Sequence, residues 1–360
     1  MILILSVITL IFIIYIIIFF IFFKPENIST QLKPNKISVV VAARNESNNI
    51  AGLIDSLSAQ SYSKELFEVI IVDDNSTDNT FNQAVSLSKE RTNFRVLKTR
   101  NNFLSGKRAA LKTGIEASKY PFILITDADC KPQEKWIEIM NAKFNEGYDF
   151  IFGLAPFSTE KTFTNKLARF ENLWTHILTF SFAKAGIPYS AAARNFGFKK
   201  SSFVKTGGYD NTTETLSGDD DLLLREAVKH KMKIDCVTDY AASVFSRTPS
   251  TYTAYLKQKA RHTSTSHHYL LKHQILLGIW HIANLLLLSS IFFVGYSYFF
   301  LFLFCIKFLF DAVLVLSKQK ITHYNFSILE ILYLQTLYDL HIVVNFINSF
   351  FLKRNWKSDS

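Results

Sequence analysis

The sequence predicts an α/β domain on a mostly parallel sheet, held between hydrophobic segments at its two ends. Three observations carry this. Four short apolar runs alternate with helical patterns, three of those runs end in polar, acid-rich turns, and both ends of the chain carry long apolar stretches.

Taken in order, ISVVVA (residues 37–42) reads as a buried strand, followed by a polar turn and a helix over residues 50–59. VIIV (69–72) is a second strand, with a helix over residues 79–89 after its acidic turn. Residues 94–97 suit a third strand, 107–117 a helix, and FILIT (122–126) a fourth strand. Continuous apolar runs mark strands covered on both faces, hence a parallel arrangement flanked by helices. In such sheets ligands lie beyond the carboxyl ends of the strands. Those ends carry Ala43-Arg44-Asn45-Glu46, Asp73-Asp74-Asn75-Ser76-Thr77-Asp78 and Asp127-Ala128-Asp129, which would converge on one edge.

Residues 2–23 are almost wholly apolar. As a helix the run is about 33 Å long, enough to cross a hydrocarbon core of roughly 30 Å. No basic residue precedes it and no small-residue cleavage site follows, so it reads as a retained anchor. Lys24 and a centre rich in Lys and Arg put the central domain in the cytosol by the positive-inside tendency. Residues 275–294 and 298–316 make two further spans. Lys307 and Asp311, four apart in the second of these, would pair structurally on one helix face. Residues 326–352 contain Glu330, Asp339 and His341 and fit either a further span or an interfacial helix. The expected divisions are an anchor at 1–23, the α/β domain at 24–249, an amphipathic interface helix at 250–272, a membrane region at 273–352 and a polar tail at 353–360. The chain is thus expected to be a multi-pass protein of a cell membrane, of the bacterial inner-membrane type.

A net charge of +10 suits solubility and attraction to anionic headgroups. No basic run with interleaved aromatics points to nucleic acid. Cys130, Cys236 and Cys305 are odd in number and widely spaced, suggesting neither a disulfide framework nor a zinc site. His262, His267 and His268 read as headgroup-facing rather than as metal ligands.

Asp127 and Asp129 stand two apart where a buried strand turns into a loop, so both carboxylates can reach one polar site. Hard oxygen donors suit Mg²⁺ or Mn²⁺. The run 73–78 also fits a helix-capping turn, with Thr77 or Asp78 near the N-cap. Residues 217–221 equally fit a cap for a helix over 222–230, where the helix dipole favours acids.

VVVAARNE, VIIVDDNSTDNT, SGKRAALKTGIEAS and FILITDADC occur in that order, followed by NFGFKKSSFVKTGGYD, SGDDDLLLREAVKHK and YLKQKARH. In order and spacing they resemble the family-2 glycosyltransferases of the GT-A fold, over about residues 37–262. The resemblance implies that Ala42, Arg44, Glu46, Asp73 and Asp74 line the nucleotide pocket, with Lys107 near the nucleotide or its phosphates. It matches Asp127 and Asp129 to the family's Asp-x-Asp pair, Asp129 being the first candidate for the metal. Asn195 falls where donor sugar and acceptor meet. Asp219 aligns with the catalytic base, and Asp220 is a one-residue alternative.

Gln258-Lys259-Ala260-Arg261-His262 resembles the Gln-x-x-Arg-Trp motif of membrane-integrated synthases, which would set Arg261 against the diphosphate. His262 departs from that motif's Trp and puts polymer synthesis in doubt. Residues 252–271 read as an amphipathic helix on the cytosolic membrane face. The implied activity is inverting transfer of a sugar, from a UDP-sugar or similar nucleotide-diphosphate sugar, to a lipid or lipid-linked glycan. It would use Mn²⁺ or Mg²⁺ and serve cell-envelope glycan or glycolipid synthesis. A processive polysaccharide synthase and a catalytically silent nucleotide-binding scaffold are the alternatives.

Overall fold

The computed structural model describes residues 2–29, 33–100, 104, 106–215 and 217–351. Ser105 of the SGKRAALKTGIEAS segment and the polar tail at 353–360 lie outside the described residues.

The chain opens with α1 (Ile2–Phe22) and then alternates through β1 (Ile37–Ala43), α2 (Ile50–Ser58), β2 (Phe67–Asp73), α3 (Thr80–Ser88), β3 (Phe94–Lys98), α4 (Lys107–Ala117) and β4 (Phe122–Asp127). A short β5 (Lys131–Pro132), α5 (Trp136–Asn145) and β6 (Phe150–Gly153) lead to α6 (Phe163–Lys184). Next come β7 (Phe196–Lys199), α7 (Lys200–Lys205), α8 (Asp221–Lys229), β8 (Ile234–Val237) and β9 (Val244–Phe245). The chain ends with α9 (Tyr252–Ser266), α10 (Leu271–Ser289), α11 (Tyr298–Lys318) and α12 (Ile328–Phe351). The four expected strands all form, within two residues of their expected ends.

These elements fall into two compact units: Pro25–Ser158 with Pro188–Thr248, and Met1–Lys24 with Thr159–Ile187 and Pro249–Leu352. The region expected as one domain at 24–249 is therefore interrupted by residues 159–187. The reason is α6, which buries Leu167, Phe170, Trp174, Ile177 and Phe180. It is apolar on more than one side and needs helices around it rather than a single sheet face.

In the α/β unit seven strands lie in the order β3-β2-β1-β4-β7-β6-β8. Neighbours are parallel from β3 to β4, and β7 runs antiparallel to both β4 and β6. The register sets Ala43 beside Asp73 and Ala42 beside Asp127, so three strand ends finish level. Gly114 lets α4 lie close on this sheet, since a Cβ there would run into the Val40 side chain.

In the other unit, three helical segments are long and apolar enough to cross a membrane: Ile2–Phe22, Leu271–Phe293 and Tyr298–Thr322. α12 is not among them. Aromatic packing centres on Trp280, which stacks with Phe12 and Tyr15 at 5.7 and 5.5 Å between ring centroids. The expected Lys307–Asp311 pair is present at 2.6 Å, and α12 adds Asp339 at 2.7 Å from the same ammonium. Gln335 donates to Asp339 and accepts from Trp174 Nε1, so three helices share one buried polar network.

Another buried carboxylate, Glu171 on α6, accepts from Tyr255 and pairs with Lys259 at 2.8 Å and His341 at 3.1 Å. Burial alone would raise its carboxyl, but Lys259 and His341 outweigh that and hold it at about 2. This ties α9 to α6 and α12, so α9 is packed against protein on one side. His267, expected to face headgroups, bonds Ser349 at 2.9 Å and packs on Phe346 and Phe350.

Candidate active site

The loops after β1 and β2 are built on each other. Asn45 and Asn75 both take left-handed backbone (φ 54° and 55°), a conformation that Asn tolerates better than most residues. That turn lets the Asn45 amide N–H donate to Ser76 Oγ, while its side-chain oxygen accepts from Thr77 N–H. Glu46 N–H donates to Thr80 Oγ1 and Ser47 N–H to Asp78. Asp78 also accepts from Thr80 N–H at the start of α3, one residue before the N-cap Asn79, which makes no side-chain cap bond itself. Burial would raise the Asp78 carboxyl, but the bonds from Thr80 and Ser47 prevail and lower it to about 2. Asp78 is thus consumed by the scaffold.

Asp73 and Asp74 are both buried. Asp74 is raised by burial, which outweighs Arg44 at 4.0 Å and the Thr99 hydroxyl. Asp73 Oδ1 is buried and accepts no hydrogen bond among the described residues. A buried carboxylate oxygen left unmet is costly, and a donor from a bound ligand would satisfy it.

Lys107, at the start of α4, joins two acids. Its ammonium contacts Asp127 Oδ1 and lies 3.5 Å from Asp219 Oδ2. Burial opposes its charge, but the carboxylates of Asp127 and Asp219 prevail and raise its pKa. The adjacent Arg108 is buried and donates to the carbonyls of Thr215 and Ser217 at 2.6 and 2.5 Å. Two consecutive cations on one helix turn thus hold the approach to Asp219 and face its charge. Arg108→Ala would remove the guanidinium from both carbonyls, leave Ser217 O only the Thr215 hydroxyl, and release the Asp219 segment. We expect a fall in kcat of roughly 10–100-fold with donor KM little changed, the scale of losses from misplaced catalytic groups, and steady-state kinetics checks it.

Asp219 and Asp220 differ sharply. Asp220 accepts from Ala193 N–H at 2.7 Å and from Asp221 N–H at 2.8 Å, using both oxygens. Asp221 in turn accepts from Ser190 and Ala191. These two acids lace the start of α8 to residues 190–193. The carboxylate of Asp219 faces Lys107.

Asp127, Asp129 and Cys130 bring ligand atoms within 4.8 Å of one another. Burial first, then the charges of Asp129 and Asp127, push the Cys130 thiol well up, so it stays protonated and donates towards Asp129 at 3.4 Å. What remains is a pair of hard carboxylates, which fits Mg²⁺ or Mn²⁺ and not a thiophilic metal. Enclosure by protein, then Asp127 and Glu46, raises the Asp129 carboxyl although its side chain opens to solvent. A cation there would relieve that crowding.

Asn195, expected where donor sugar and acceptor meet, has both ends of its side-chain amide engaged within the protein. It is fully buried, accepts from Trp136 Nε1 at 2.8 Å, and donates to the carbonyls of Leu154 and Ala242. Its amide is spent holding α5, the end of β6 and the approach to β9 together. Its neighbour Arg194 is the residue that sequence reasoning passed over, since its charge lowers the Asp129 carboxyl. The only signal was its adjacency to Asn195. Arg261 lies on α9, in the other unit.

A mostly parallel sheet with a paired-acid strand end and a basic helix start defines a GT-A-type transferase domain. Residues 38–205 match Glycosyl transferase family 2, and residues 122–338, more than half of the chain, match Glycosyl transferase family group 2. The chain belongs to the family-2 glycosyltransferases, enzymes whose donors are nucleotide sugars. It is 24% identical over 323 residues to Probable glycosyltransferase YdaM of Bacillus subtilis, covering 87% of this chain and 69% of that one. It is 31% identical over 123 residues to Glycosyltransferase AglE of Haloferax volcanii, covering 34% of this chain and only 40% of the relative. Over 95 residues it is 36% identical to the Beta-monoglucosyldiacylglycerol synthase of Nostoc, covering 26% of this chain and 20% of that one. Among solved structures, the mannosyltransferase PcManGT from Pyrobaculum calidifontis, in complex with GDP-Man and Mn2+, superposes with a TM-score of 0.59. The superposition covers 99% of this chain and 100% of the other at 15% identity, a likeness of fold.

Proposed function

We propose that the protein transfers one sugar, with inversion, from a nucleotide-diphosphate sugar to a lipid or lipid-linked glycan at the cytosolic face of a cell membrane. The observation that carries this reading is Lys107, whose ammonium links Asp127 at a strand end to Asp219 at the approach to α8. One substrate bound over the level strand ends would then meet both acids. Asp73 and Asp74, with Ala42, Arg44 and Glu46 beside them, would receive the nucleoside, Asp73 Oδ1 taking a donor from it. Lys107 would stand near the diphosphate. Asp219 takes the proton of the acceptor hydroxyl as that oxygen attacks the anomeric carbon. A divalent cation held by Asp129 and Asp127 would supply charge neutralisation at the leaving diphosphate.

The apolar segments Ile2–Phe22, Leu271–Phe293 and Tyr298–Thr322 supply the membrane anchorage, with α9 as the interfacial helix and the α/β unit in the cytosol. A UDP-sugar is the first donor to test. His262 in place of the motif's Trp favours a single addition, so the product is expected to be one sugar longer rather than a ladder on a gel.

The test is transfer by the detergent-purified protein across a panel of nucleotide sugars and membrane-lipid acceptors. We expect chelation with EDTA to abolish transfer and Mn²⁺ or Mg²⁺ to restore it. Asp129→Ala should not be restored by either ion. Full activity of a folded Asp129→Ala variant in EDTA would refute the metal-assisted reading.

A further inference from the structure

The level strand ends share one edge of the sheet, and β7 reaches that edge differently from its neighbours. Because β7 runs antiparallel to β4, its beginning rather than its end lies beside the end of β4. The residues just before β7 form the turn Ala193–Asn195, which packs on β4. Along the edge the order is therefore Asp73 on β2, Ala43 on β1, Asp127 on β4, and then this turn. A donor laid across it with its nucleoside at Asp73 and Asp74 would bring its outer phosphate to Asp129 and the turn.

The turn is held from both sides, so the residue at its middle, Arg194, is placed in advance. Ala193 N–H is bound to Asp220, next to Asp219, and the Asn195 amide to Trp136, Leu154 and Ala242. The Arg194 side chain is half-buried. Its guanidinium lies 4.7 Å from the centroid of the Phe157 ring, a cation–π contact, and its Nη2 donates to Ala155 O. Its Nη1 makes no hydrogen bond among the described residues. The charge of Arg194 reaches Asp129, yet among the described residues the two form no ion pair. Cation and carboxylate are thus neighbours without contact. That arrangement suits a group taking a metal on one side and a guanidinium on the other, and a phosphate is such a group.

We infer that Arg194 binds the outer phosphate of the donor, the one bonded to the sugar, as a second cation beside Lys107. The inference deepens the transferase reading and rests on it in taking the ligand to be a nucleotide-diphosphate sugar. As the bond from the sugar to that phosphate breaks, negative charge gathers on the phosphate oxygen, and a fixed guanidinium stabilises it. Arg suits the task better than Lys, because its planar fork can bond Ala155 O and a phosphate oxygen at the same time. Asn195 then acts through Arg194, as the anchor of the turn that presents it.

The experiment measures binding without turnover, on the full chain in neutral detergent with Mn²⁺. Uridine, guanosine, cytidine, thymidine and adenosine diphosphates are titrated calorimetrically, each against its own monophosphate. We expect at least one diphosphate to bind more tightly than its monophosphate. Arg194→Gln should weaken that diphosphate about 10–100-fold, the scale of charge-assisted hydrogen bonding, and its monophosphate less than about twofold. Arg194→Lys should lose less, since it restores the charge without the fork. Lys205→Gln, exposed on α7 beyond the far end of β7, should change neither affinity. A residue that only braced Ala155 and Phe157 would instead lower the thermal midpoint and weaken diphosphate and monophosphate alike. The inference is overturned if Arg194→Gln keeps the wild-type ratio of the two affinities, or if Lys205→Gln shifts that ratio as far as Arg194→Gln does. Sugar transfer by the wild type with an unchanged ratio in Arg194→Gln would sink the inference alone. Diphosphate binding that depends on Arg194, without sugar transfer, would sink the transferase reading alone, and binding of no diphosphate would overturn both.

Discussion

Asp219→Asn is expected to lower sugar transfer by about 10²–10⁴-fold, the usual contribution of a general base, while nucleotide-sugar binding changes less than about twofold. The substitution keeps shape and removes the proton acceptor. Asp219 is the carboxylate of its cluster that faces Lys107, whereas both oxygens of Asp220 already accept backbone N–H groups. Asp220→Asn is therefore expected to act through the scaffold, loosening the start of α8 by about 0.5–2 kcal/mol in the manner of a lost cap. Single-turnover transfer rates separate the two. If Asp219→Asn transferred at the wild-type rate and Asp220→Asn did not, the base would have to be reassigned by one residue.

Lys307→Met is expected to be the most destabilising single change in the hydrophobic unit. Lys307 and Asp311 are fully buried and Asp339 nearly so, with the one ammonium between two carboxylates at 2.6 and 2.7 Å. Removing it leaves two like charges facing each other without water, and breaking a buried pair from one side costs about 3–5 kcal/mol. Much of that cost is the orphaned charge rather than lost attraction. The triple change Lys307→Met, Asp311→Leu, Asp339→Leu should therefore recover most of the stability, because apolar replacement of a whole buried ion cluster is often neutral. Thermal unfolding in detergent, wild type against single and triple variants, reads this directly. A triple variant no more stable than Lys307→Met would mean that the network holds the helices by hydrogen bonding alone.

Much of the α/β half was legible because its signals are local. VIIV and FILIT are apolar without alternation, and that pattern belongs to strands buried on both faces. The strands beyond β4 were not legible, because FGFK, the strand that runs antiparallel, and FIFG are four residues each and carry no period long enough to read. α6 escaped notice for a related reason: its Lys166, Arg169, Glu171 and Lys184 give it the mixed composition of a soluble helix. Its buried Glu171 is satisfied only by residues 84 and more positions away.

The candidate site divides along the same line. Asp127 and Asp129 announce themselves by spacing at a strand end, and Asn45 and Asn75 by the residue type that a left-handed turn favours. Which acid is spent on the scaffold and which faces a cation could not be read that way. Residues 217–221 are a run of similar acids and small polar residues in one dimension. In the structure Asp220 and Asp221 turn to residues 190–193, while Asp219 turns to Lys107. The sequence by itself determined the four strands β1 to β4, the acid-rich strand ends and the apolar segments, since each depends on near neighbours along the chain. The tertiary structure alone decided the partners of each charge and the interruption of the α/β region by α6. Those are facts of distance between remote residues, and burial makes each of them expensive to leave unmet.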